Sequence, residues 1–496
     1  MNVNKLLQKN VITKSSLNLF LFVVLTFLLI ILIQTPTFET FFMADDFWWL
    51  DFAGKYSDIS QILIQKSPGG WTTIIPNFLF WGQLKVFKYN PLGYYFVNSI
   101  IHFFNCLLVY NLVLLISRRK SIAITSSIIF AIHFIHYSDW GPLVWIAAFV
   151  QLIVAFFYLI SVLFFVKYKY SGKLFYYWIS ILSFILAIIS KETAISLPIL
   201  LLAWTIIGFP QIKKEKNFLR SIMPLIPFLI ILGIYLLYEI NFQLSGHYIQ
   251  TNIYGFGIHN LQNWKYFSNL LLPNPNSPPV KSFMLRSSSS ILLSIFQLGT
   301  ALTRVFIFLG LLVLWIFSRK SVRLWIAFLL IVYLPFIGFI EGFAGPNRYF
   351  YLSSIGFSVL FAKGLIWFYD RLKHGERGIK NKILFVIILV FLFLYNFIPI
   401  RIWQTLMINN SAVRRQTISL IEEKISSIQP YQDSLNSIYL IGYPQKFGDL
   451  EKAINTQFDI GAVFVDSDQD LINDTEPTNN VLLLSYENGE VILNSK

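Results

Sequence analysis

Two adjacent aspartates, Asp45 and Asp46, follow the first long apolar run and are the first residues that could do chemistry. Neighbouring carboxylates at the mouth of a helix raise each other's pKa, and such a group can act as a general base. The alternative is that the pair only marks a solvated helix end. A functional role is favoured because an idle pair of charges is costly in apolar surroundings. The flanking residues are apolar or aromatic: Phe42, Met43, Phe47, Trp48 and Trp49.

Further charged residues occur where other long apolar runs end. Lys191 and Glu192 join two such runs with almost no loop, so they either serve a site or form an ion pair that caps two helix ends. Arg348 stands at the entrance to another run. A guanidinium there can bind a phosphate through two hydrogen bonds without losing its charge. The alternative for Arg348 is anchoring to lipid headgroups.

Asn98, His102 and Asn105 have the spacing i, i+4 and i+7, which places them on one helix face. Such a polar stripe is more often used for hydrogen bonds between helices than for catalysis.

Metal ligands are sparse in this sequence. His133, His136 and Asp139 have spacings at which a metal could bind, but no partner motif accompanies them. Cys106 is the only cysteine, so there is no Cys-based metal site and no intrachain disulfide. We expect no cofactor and assign no metal ligand, although a divalent metal stays open.

The composition is that of a membrane protein. Of the 496 residues, 56% are hydrophobic and 13% are charged, whereas soluble domains carry about 25% charged residues. Runs such as 17–34, 150–166 and 383–399 are long enough to cross a hydrocarbon core about 30 Å thick. Residues 1–400 hold 32 Lys and Arg against 12 Asp and Glu, and residues 401–496 hold 7 against 13. The cations cluster in short loops between apolar runs, which is the positive-inside pattern and not a nucleic-acid-binding surface.

These clusters predict an all-α polytopic protein of the plasma or inner membrane. The first run is interpreted as a retained helix because others follow it and no cleavage site is evident. Lysines before it place the amino terminus in the cytoplasm, and an odd number of spans places the carboxyl terminus outside. We predict about eleven spans, near residues 17–35, 92–116, 121–136, 143–166, 174–190, 193–209, 221–240, 299–317, 323–340, 350–367 and 381–399.

This topology predicts two domains. Residues 1–400 form the membrane domain, and residues 35–91 are its first outer segment. The part over 72–87 is too apolar for a free loop and too short to span, so we expect interfacial helices there. Residues 401–496 form a small extracytoplasmic α/β domain, with alternating stretches over 437–441, 461–465 and 481–491. The last stretch contains an Asn488-Gly489 turn, which is typical of a hairpin.

The charged residues outside the basic clusters then fall in one layer. A charge inside a span costs several kcal/mol, so such a layer needs a reason. A membrane-embedded site that opens outward would provide one. The residues in the layer are Asp45, Asp46, Asp139, Lys191, Glu192, Glu239, Glu341 and Arg348, with Arg304 just inside its own span.

Taken in order, the motifs resemble those of the GT-C membrane glycosyltransferases over about residues 17–370. The similar branch contains protein O-mannosyltransferases, aminoarabinose transferases and the tetratricopeptide-bearing O-mannosyltransferases. This sequence departs from the last group in two ways: a short acidic tail stands in place of a tetratricopeptide array, and Asn347 stands where Glu is expected. The motifs that carry the resemblance are Asp45-Asp46, the aromatic segment after them, the Asn98, His102 and Asn105 stripe, Asp139, Ser190-Lys191-Glu192-Thr193-Ala194 with Pro198, and Arg348-Tyr349 with Tyr351-Leu352.

The resemblance implies transfer of a sugar, either a hexose or a pentose, from a polyprenyl-phosphate donor on the outer face of the membrane, generally with inversion. The acceptor, whether protein, lipid or glycan, stays open. Asp45 and Asp46 would be catalytic, with Asp45 favoured as the base. The donor phosphate would be bound by Arg348, Lys191, Arg304 and Tyr349. The other substrate-binding residues would be Asp139, Glu192 and His102.

Two other functions share some of these features. A cell-surface glycan polymerase or ligase also uses a lipid-linked donor on the outer face. A secondary transporter also has many spans and buried charges, but its ionisable residues cluster near the midplane between two repeated halves. Here the charges lie at the outer ends of spans and no repeat is evident.

The topology makes a testable prediction. An alkaline phosphatase fusion after Lys496 should be active and one at Arg119 inactive, because the enzyme folds only outside the cytoplasm and the basic clusters set the orientation. The measurement is phosphatase activity in whole cells at equal fusion abundance. An inactive fusion after Lys496 would contradict the odd number of spans.

Overall fold

The computed structural model describes residues 3–63, 65–67, 72–138, 140–210, 217–244, 255, 257–271, 290–339, 346–373, 378–428, 437–441, 449–458, 461–465, 481–487 and 490–494. The chain divides into two compact units. The first contains Met1–Thr35, Val97–Val144 and Ala148–Trp403, and the second contains Pro36–Phe96, Trp145–Ala147 and Gln404–Lys496. The boundary at residue 400 that the sequence suggests stays a prediction.

Helices dominate the described residues. In chain order they are α1 Val3–Gln34, α2 Asp45–Gly54, α3 Ile59–Leu63, α4 Ile74–Phe87, α5 Pro91–Ser117, α6 Lys120–Ile132, α7 Phe149–Ser171, α8 Leu174–Ile188, α9 Ser196–Ile207, α10 Phe218–Ile222, α11 Ile226–Leu244, α12 Ile258–Gln262, α13 Ser290–Phe317, α14 Lys320–Ile331, α15 Leu334–Ile337, α16 Ser353–Lys373, α17 Gly378–Ile428 and α18 Leu450–Phe458. The strands are β1 Ser437–Ile441, β2 Gly461–Val465, β3 Val481–Glu487 and β4 Glu490–Asn494.

A helix lies at each of the eleven predicted span positions. Among the described residues, six helices are long and apolar enough to cross a membrane, which confirms a multi-pass membrane protein. The count of eleven stays a prediction, because four of the remaining helices are apolar but shorter: Lys120–His136, Leu174–Ile188, Glu192–Ile207 and Arg304–Phe317.

Several predicted spans break up at the ends that the topology places outside. Helix α6 stops at Ile132 because His133 takes an extended conformation, with φ −63° and ψ 126°. Irregular backbone at such a depth is tolerated only where protein buries it or where it lines a cavity. Glu192, Arg348 and Tyr349 therefore sit on turns rather than on continuous helices. The 3-10 turns next to the broken ends are Phe134–His136, Ile146–Ala148, Glu192–Ile195 and Asn347–Phe350.

Aromatic side chains form much of the core of the first unit. The Trp204 indole on α9 donates to the Leu324 carbonyl on α14 at 2.7 Å, and its ring lies 5.7 Å from that of Trp325. The Tyr158 hydroxyl on α7 is 3.2 Å from the Ser196 hydroxyl at the start of α9. These contacts satisfy the polar atoms of buried aromatic residues and bind three helices together.

In the second unit, α2 packs against α4, and the ring of Tyr94 lies 5.3 Å from those of Phe42, which precedes α2, and Phe80 on α4. Helix α4 confirms a helix in the first outer segment, whereas its position relative to a membrane stays a prediction. The carboxyl-terminal segment forms a four-stranded sheet in the order β2-β1-β3-β4, parallel except for the β3–β4 pair.

The β3–β4 hairpin follows the predicted pattern. Glu487 pairs with Glu490, so the connection has two residues. The predicted Asn488-Gly489 turn lies outside the described residues. Helix α18 packs against β2 and also against α2. Whether this segment is an independent α/β domain stays a prediction.

Candidate functional site

The backbone just before Asp45 is strained. Ala44 has φ 50° and ψ −125°, a conformation that costs a residue with a side chain about 1–3 kcal/mol. Helix α2 begins directly after it, at Asp45. We call residues 43–46 the acidic turn. Strain of this kind persists only where surrounding contacts over-determine the conformation.

Asp46 supplies two of those contacts. Its side chain is fully buried, Oδ2 accepts a hydrogen bond from the Met43 N–H at 3.0 Å, and Oδ1 accepts one from the Ala147 N–H at 2.7 Å. The bond back to Met43 resembles the second half of a capping box. Burial raises the pKa of Asp46 well above its usual value, the two N–H groups oppose that rise, and the neighbouring Asp45 adds to it. Because backbone amides engage both oxygens, the geometry favours Asp46 as the residue that holds the turn.

Asp45 lies in a different environment from Asp46. It is exposed and occupies the first position of α2. An exposed carboxylate beside a buried one is accessible to a substrate. That Asp45 rather than Asp46 is the base stays a prediction.

A third carboxylate, which sequence reasoning missed, reaches the same turn. The Ala44 N–H donates to Asp449 Oδ2 at 2.6 Å, and Arg414 Nε lies 2.9 and 2.7 Å from the two oxygens of Asp449. No spacing pattern pointed to these residues, because the amide and the carboxylate are 405 positions apart.

In the first unit, Arg348 lies against the residue that follows it. Its Cζ is 4.6 Å from the centre of the Tyr349 ring, and Nη2 donates to the Tyr349 hydroxyl at 3.1 Å. The Tyr349 ring in turn packs 4.6 Å from Phe336 and 5.1 Å from Phe339. This stacking orients a half-buried guanidinium.

Asn347, at the position where the resemblance expects Glu, ties this loop to the end of the third predicted span. Its Nδ2 donates to the carbonyl and the hydroxyl of Ser138, both at 3.1 Å. Asp139 is the next residue after Ser138, but it lies outside the described residues, as does Glu341. The role predicted for Asp139 therefore stays a prediction.

Lys191 and Glu192 form an ion pair, with Nζ 3.1 Å from Oε1 and side chains 14% and 8% exposed. This is the contact that the helix-capping alternative requires. An ammonium group has three donors, however, so one carboxylate does not use up its capacity. The Glu192–Ile195 turn contacts α15.

Arg304 lies on α13, where its Nε is 3.4 Å from the Ser268 hydroxyl. Ser268 belongs to the turn segment Asn263–Leu270. The Asn263 amide donates to the carbonyls of Ile337 at 2.9 Å and Phe339 at 2.5 Å. Arg304 is thereby linked to the stretch that also packs against Tyr349.

The three candidate cations are therefore connected through one stretch, residues 334–339, which we call the 334–339 turn. The turn after Lys191 contacts it, Asn263 in the segment that contacts Arg304 bonds its carbonyls, and the ring stacked on Arg348 packs on its phenylalanines.

His102 is surrounded by protein. Its side chain is fully buried, with Nδ1 2.7 Å from the Tyr351 hydroxyl and Nε2 3.2 Å from the Ala131 carbonyl. Asn105 donates to the same hydroxyl at 3.0 Å. These contacts fit the interhelical alternative for the polar stripe, and a substrate contact of His102 stays a prediction. Within the described ranges, no group of three or more His, Cys, Asp or Glu is placed to hold a metal.

No protein-family model and no curated protein matches this sequence. Among solved structures, the chain is similar to the apo oligosaccharyltransferase of Archaeoglobus fulgidus, at 13% identity and a TM-score of 0.46, over 89% of this chain and 64% of that one. It is also similar to ArnT from Cupriavidus metallidurans bound to undecaprenyl phosphate, at 11% identity and a TM-score of 0.46, over 93% and 92% of the two chains.

Both proteins are GT-C glycosyltransferases, the class that the sequence motifs resemble. The chain spans just under two thirds of the length of the archaeal enzyme. Likeness at this level of identity and TM-score does not assign a reaction, which has to be argued from the residues of this chain.

The two aspartates should differ in their effect on stability. Asp46→Ala leaves two backbone N–H groups without their acceptor, and each such loss costs about 1–3 kcal/mol. Asp45→Ala removes an exposed charge at a helix start, worth less than about 1 kcal/mol. Thermal unfolding in detergent should show a drop of several degrees for Asp46→Ala and little change for Asp45→Ala. The reverse order would mean that Asp46 does not hold the turn.

Proposed function

We propose that this protein is a glycosyltransferase that moves a sugar from a polyprenyl-phosphate donor to an acceptor hydroxyl on the outer face of the membrane. The observation that carries the proposal is the linkage of Lys191, Arg304 and Arg348 through the 334–339 turn. A cation at the end of a span can bind an anion that lies at headgroup depth. The phosphate of a lipid-linked donor is such an anion, because its polyprenyl tail stays in the bilayer.

The cations act on the leaving group. As the bond between the anomeric carbon and the phosphate oxygen breaks, negative charge grows on the departing polyprenyl phosphate. Fixed cations stabilise that charge more strongly in a partly buried site than in water. Arg348 is best suited to this role, because its planar guanidinium offers paired donors and its stack on Tyr349 limits the rotamers that it must give up.

The acidic turn acts on the acceptor. The acceptor hydroxyl oxygen attacks the anomeric carbon from the side opposite the phosphate, so the configuration inverts, and the hydroxyl proton passes to Asp45. Asp45 is exposed and therefore accessible to that proton, whereas Asp46 is fixed by two backbone amides. The reaction then yields a glycosylated acceptor, a protonated Asp45 and a free polyprenyl phosphate.

The solved structures that resemble this chain hold ligands of the same class. The archaeal oligosaccharyltransferase was captured with a dolichol-phosphate and ArnT with undecaprenyl phosphate. The proposal takes the donor of this chain to be a polyprenyl-phosphate sugar, whether hexose or pentose, and it leaves the acceptor as protein, lipid or glycan. The residues named above, rather than the likeness, support it.

The base has a direct test. Asp45→Asn keeps the shape of the side chain but cannot accept a proton, so transfer should fall about 10²–10⁴-fold. The measurement is release of polyprenyl phosphate and appearance of glycosylated acceptor in reconstituted vesicles. Asp51→Asn is the matched control, because Asp51 lies on the same helix and pairs with Lys55 and Lys452 instead.

Two outcomes would contradict this part of the proposal. If Asp45→Asn transfers sugar at the wild-type rate, Asp45 is only the first residue of α2 and is not the base. Movement of a solute without release of polyprenyl phosphate would favour the transporter alternative.

The phosphate site is tested by Arg348→Lys, which keeps the charge but loses the planar donor pair. We expect the apparent KM for a polyprenyl-phosphate sugar to rise and kcat to fall, with a larger effect for Arg348→Ala. Arg119→Lys is the control, since Arg119 forms an exposed ion pair with Asp370 at 2.7 Å. Unchanged donor kinetics in Arg348→Ala would make Arg348 a headgroup anchor.

A further inference from the structure

The acidic turn is held by two carboxylates at successive amides. The Met43 N–H donates to Asp46, and the next amide, that of Ala44, donates to Asp449. The second bond is short, at 2.6 Å, and it falls on the residue whose backbone is strained. A hydrogen bond to an ionised acceptor is about twice as strong as a neutral one. Asp449 thus fixes the peptide group immediately before Asp45.

The position of Asp449 is itself fixed by α17. Arg414 on that helix contacts both oxygens of Asp449, and the two side chains are 8% and 11% exposed. The Nη1 of Arg414 also donates to the Asn410 carbonyl, one turn earlier on the helix, at 2.8 Å. The charge is therefore paired, its partner is anchored, and the carboxylate has little freedom to leave the Ala44 amide.

A second ion pair joins the same segments without reaching the acidic turn. Lys452 Nζ lies 2.9 Å from Asp51 Oδ2, with side chains 31% and 21% exposed, and 4.6 Å from the centre of the Trp48 ring. This pair ties α18 to the middle of α2. A variant that breaks this pair therefore tests whether the carboxyl-terminal segment acts only by its attachment to α2 or by holding the residues around Asp45.

We propose that Asp449 and Arg414 are positioning residues, which hold the acidic turn in the strained conformation that orients Asp45 toward the acceptor. The inference rests on the proposed function, because it takes Asp45 as the base. It gives the carboxyl-terminal segment a part in the reaction through its contact with the acidic turn. A small misplacement of a catalytic group is enough to cost about 10²-fold in rate, so a contact of this kind can control turnover.

The experiment compares three variants of the full-length protein in vesicles. The double variant Asp449→Asn with Arg414→Gln removes the ion pair but leaves no unpaired buried charge, which keeps it folded more readily than a single change. Asp449→Ala also removes the acceptor of the Ala44 amide. Lys452→Ala is the control, because it breaks the other ion pair between the same segments.

Two readouts are measured for each variant. Hydrogen exchange of the peptide that contains residues 43–47 reports on the turn whether or not the protein is active. Steady-state kinetics with a synthetic polyprenyl-phosphate sugar give kcat and KM for the donor. For the double variant and Asp449→Ala we expect exchange of the turn to rise about tenfold, kcat to fall about 10- to 100-fold, and the donor KM to change less than about twofold. Lys452→Ala should match the wild type in exchange at the turn and in kcat.

The readouts also separate the two proposals. If the turn exchanges as in the wild type, or exchanges faster with no change in kcat, Asp449 and Arg414 do not position Asp45. An equal loss in Lys452→Ala would reduce their role to general attachment of the segment. If the wild type itself releases no polyprenyl phosphate, glycosyl transfer fails as the function, and exchange still decides whether Asp449 holds the turn.

Discussion

The second unit depends on how backbone amides at a strained turn are satisfied. Ala44 carries a positive φ that a residue with a Cβ avoids, so contacts within and outside the turn must hold it there. Those contacts come from Asp46, from the Ala147 amide that anchors Asp46, and from Asp449. Three segments that are distant in sequence therefore meet at the start of α2.

In the first unit, the backbone groups that need hydrogen-bond partners are carbonyl groups rather than N–H groups. Broken helix ends leave carbonyl groups without helical partners, and such groups are costly in an apolar setting. At the 334–339 turn the Asn263 amide satisfies two of these carbonyls, those of Ile337 and Phe339. The Asn263 side chain therefore lowers the cost of the break in the helix.

Local sequence patterns account for the parts of this structure that depend on nearby residues. Hydropathy located a helix at every predicted span position, and alternation located β1, β2 and β3, because both signals repeat over short distances. The difference between Asp45 and Asp46 had no such signal. Two adjacent residues of the same type receive opposite environments, and the distant Ala147 supplies a hydrogen-bond partner to the buried one.

Asp449 and Arg414 were beyond sequence reasoning for a similar reason. Arg414 lies in a helix whose charged residues look like an ordinary polar face, and Asp449 is one of many acids in an acidic tail. Asp449 is distinguished by its contact with the Ala44 amide, 405 positions away, and Arg414 by its contacts with Asp449. Pairwise contacts of this kind leave no periodic trace in a single sequence. The sequence shows that the tail is acidic, but it does not show that Asp449 is the acid that contacts the Ala44 amide.

Asn347 stands where the resemblance leads one to expect Glu, and the difference changes the local charge. A Glu beside Arg348 would offset the charge of the guanidinium, whereas the neutral amide of Asn347 does not. The Asn347 side chain instead bonds Ser138 and holds the loop that carries Arg348. Asn347 therefore contributes to the position of Arg348 through hydrogen bonds rather than through charge.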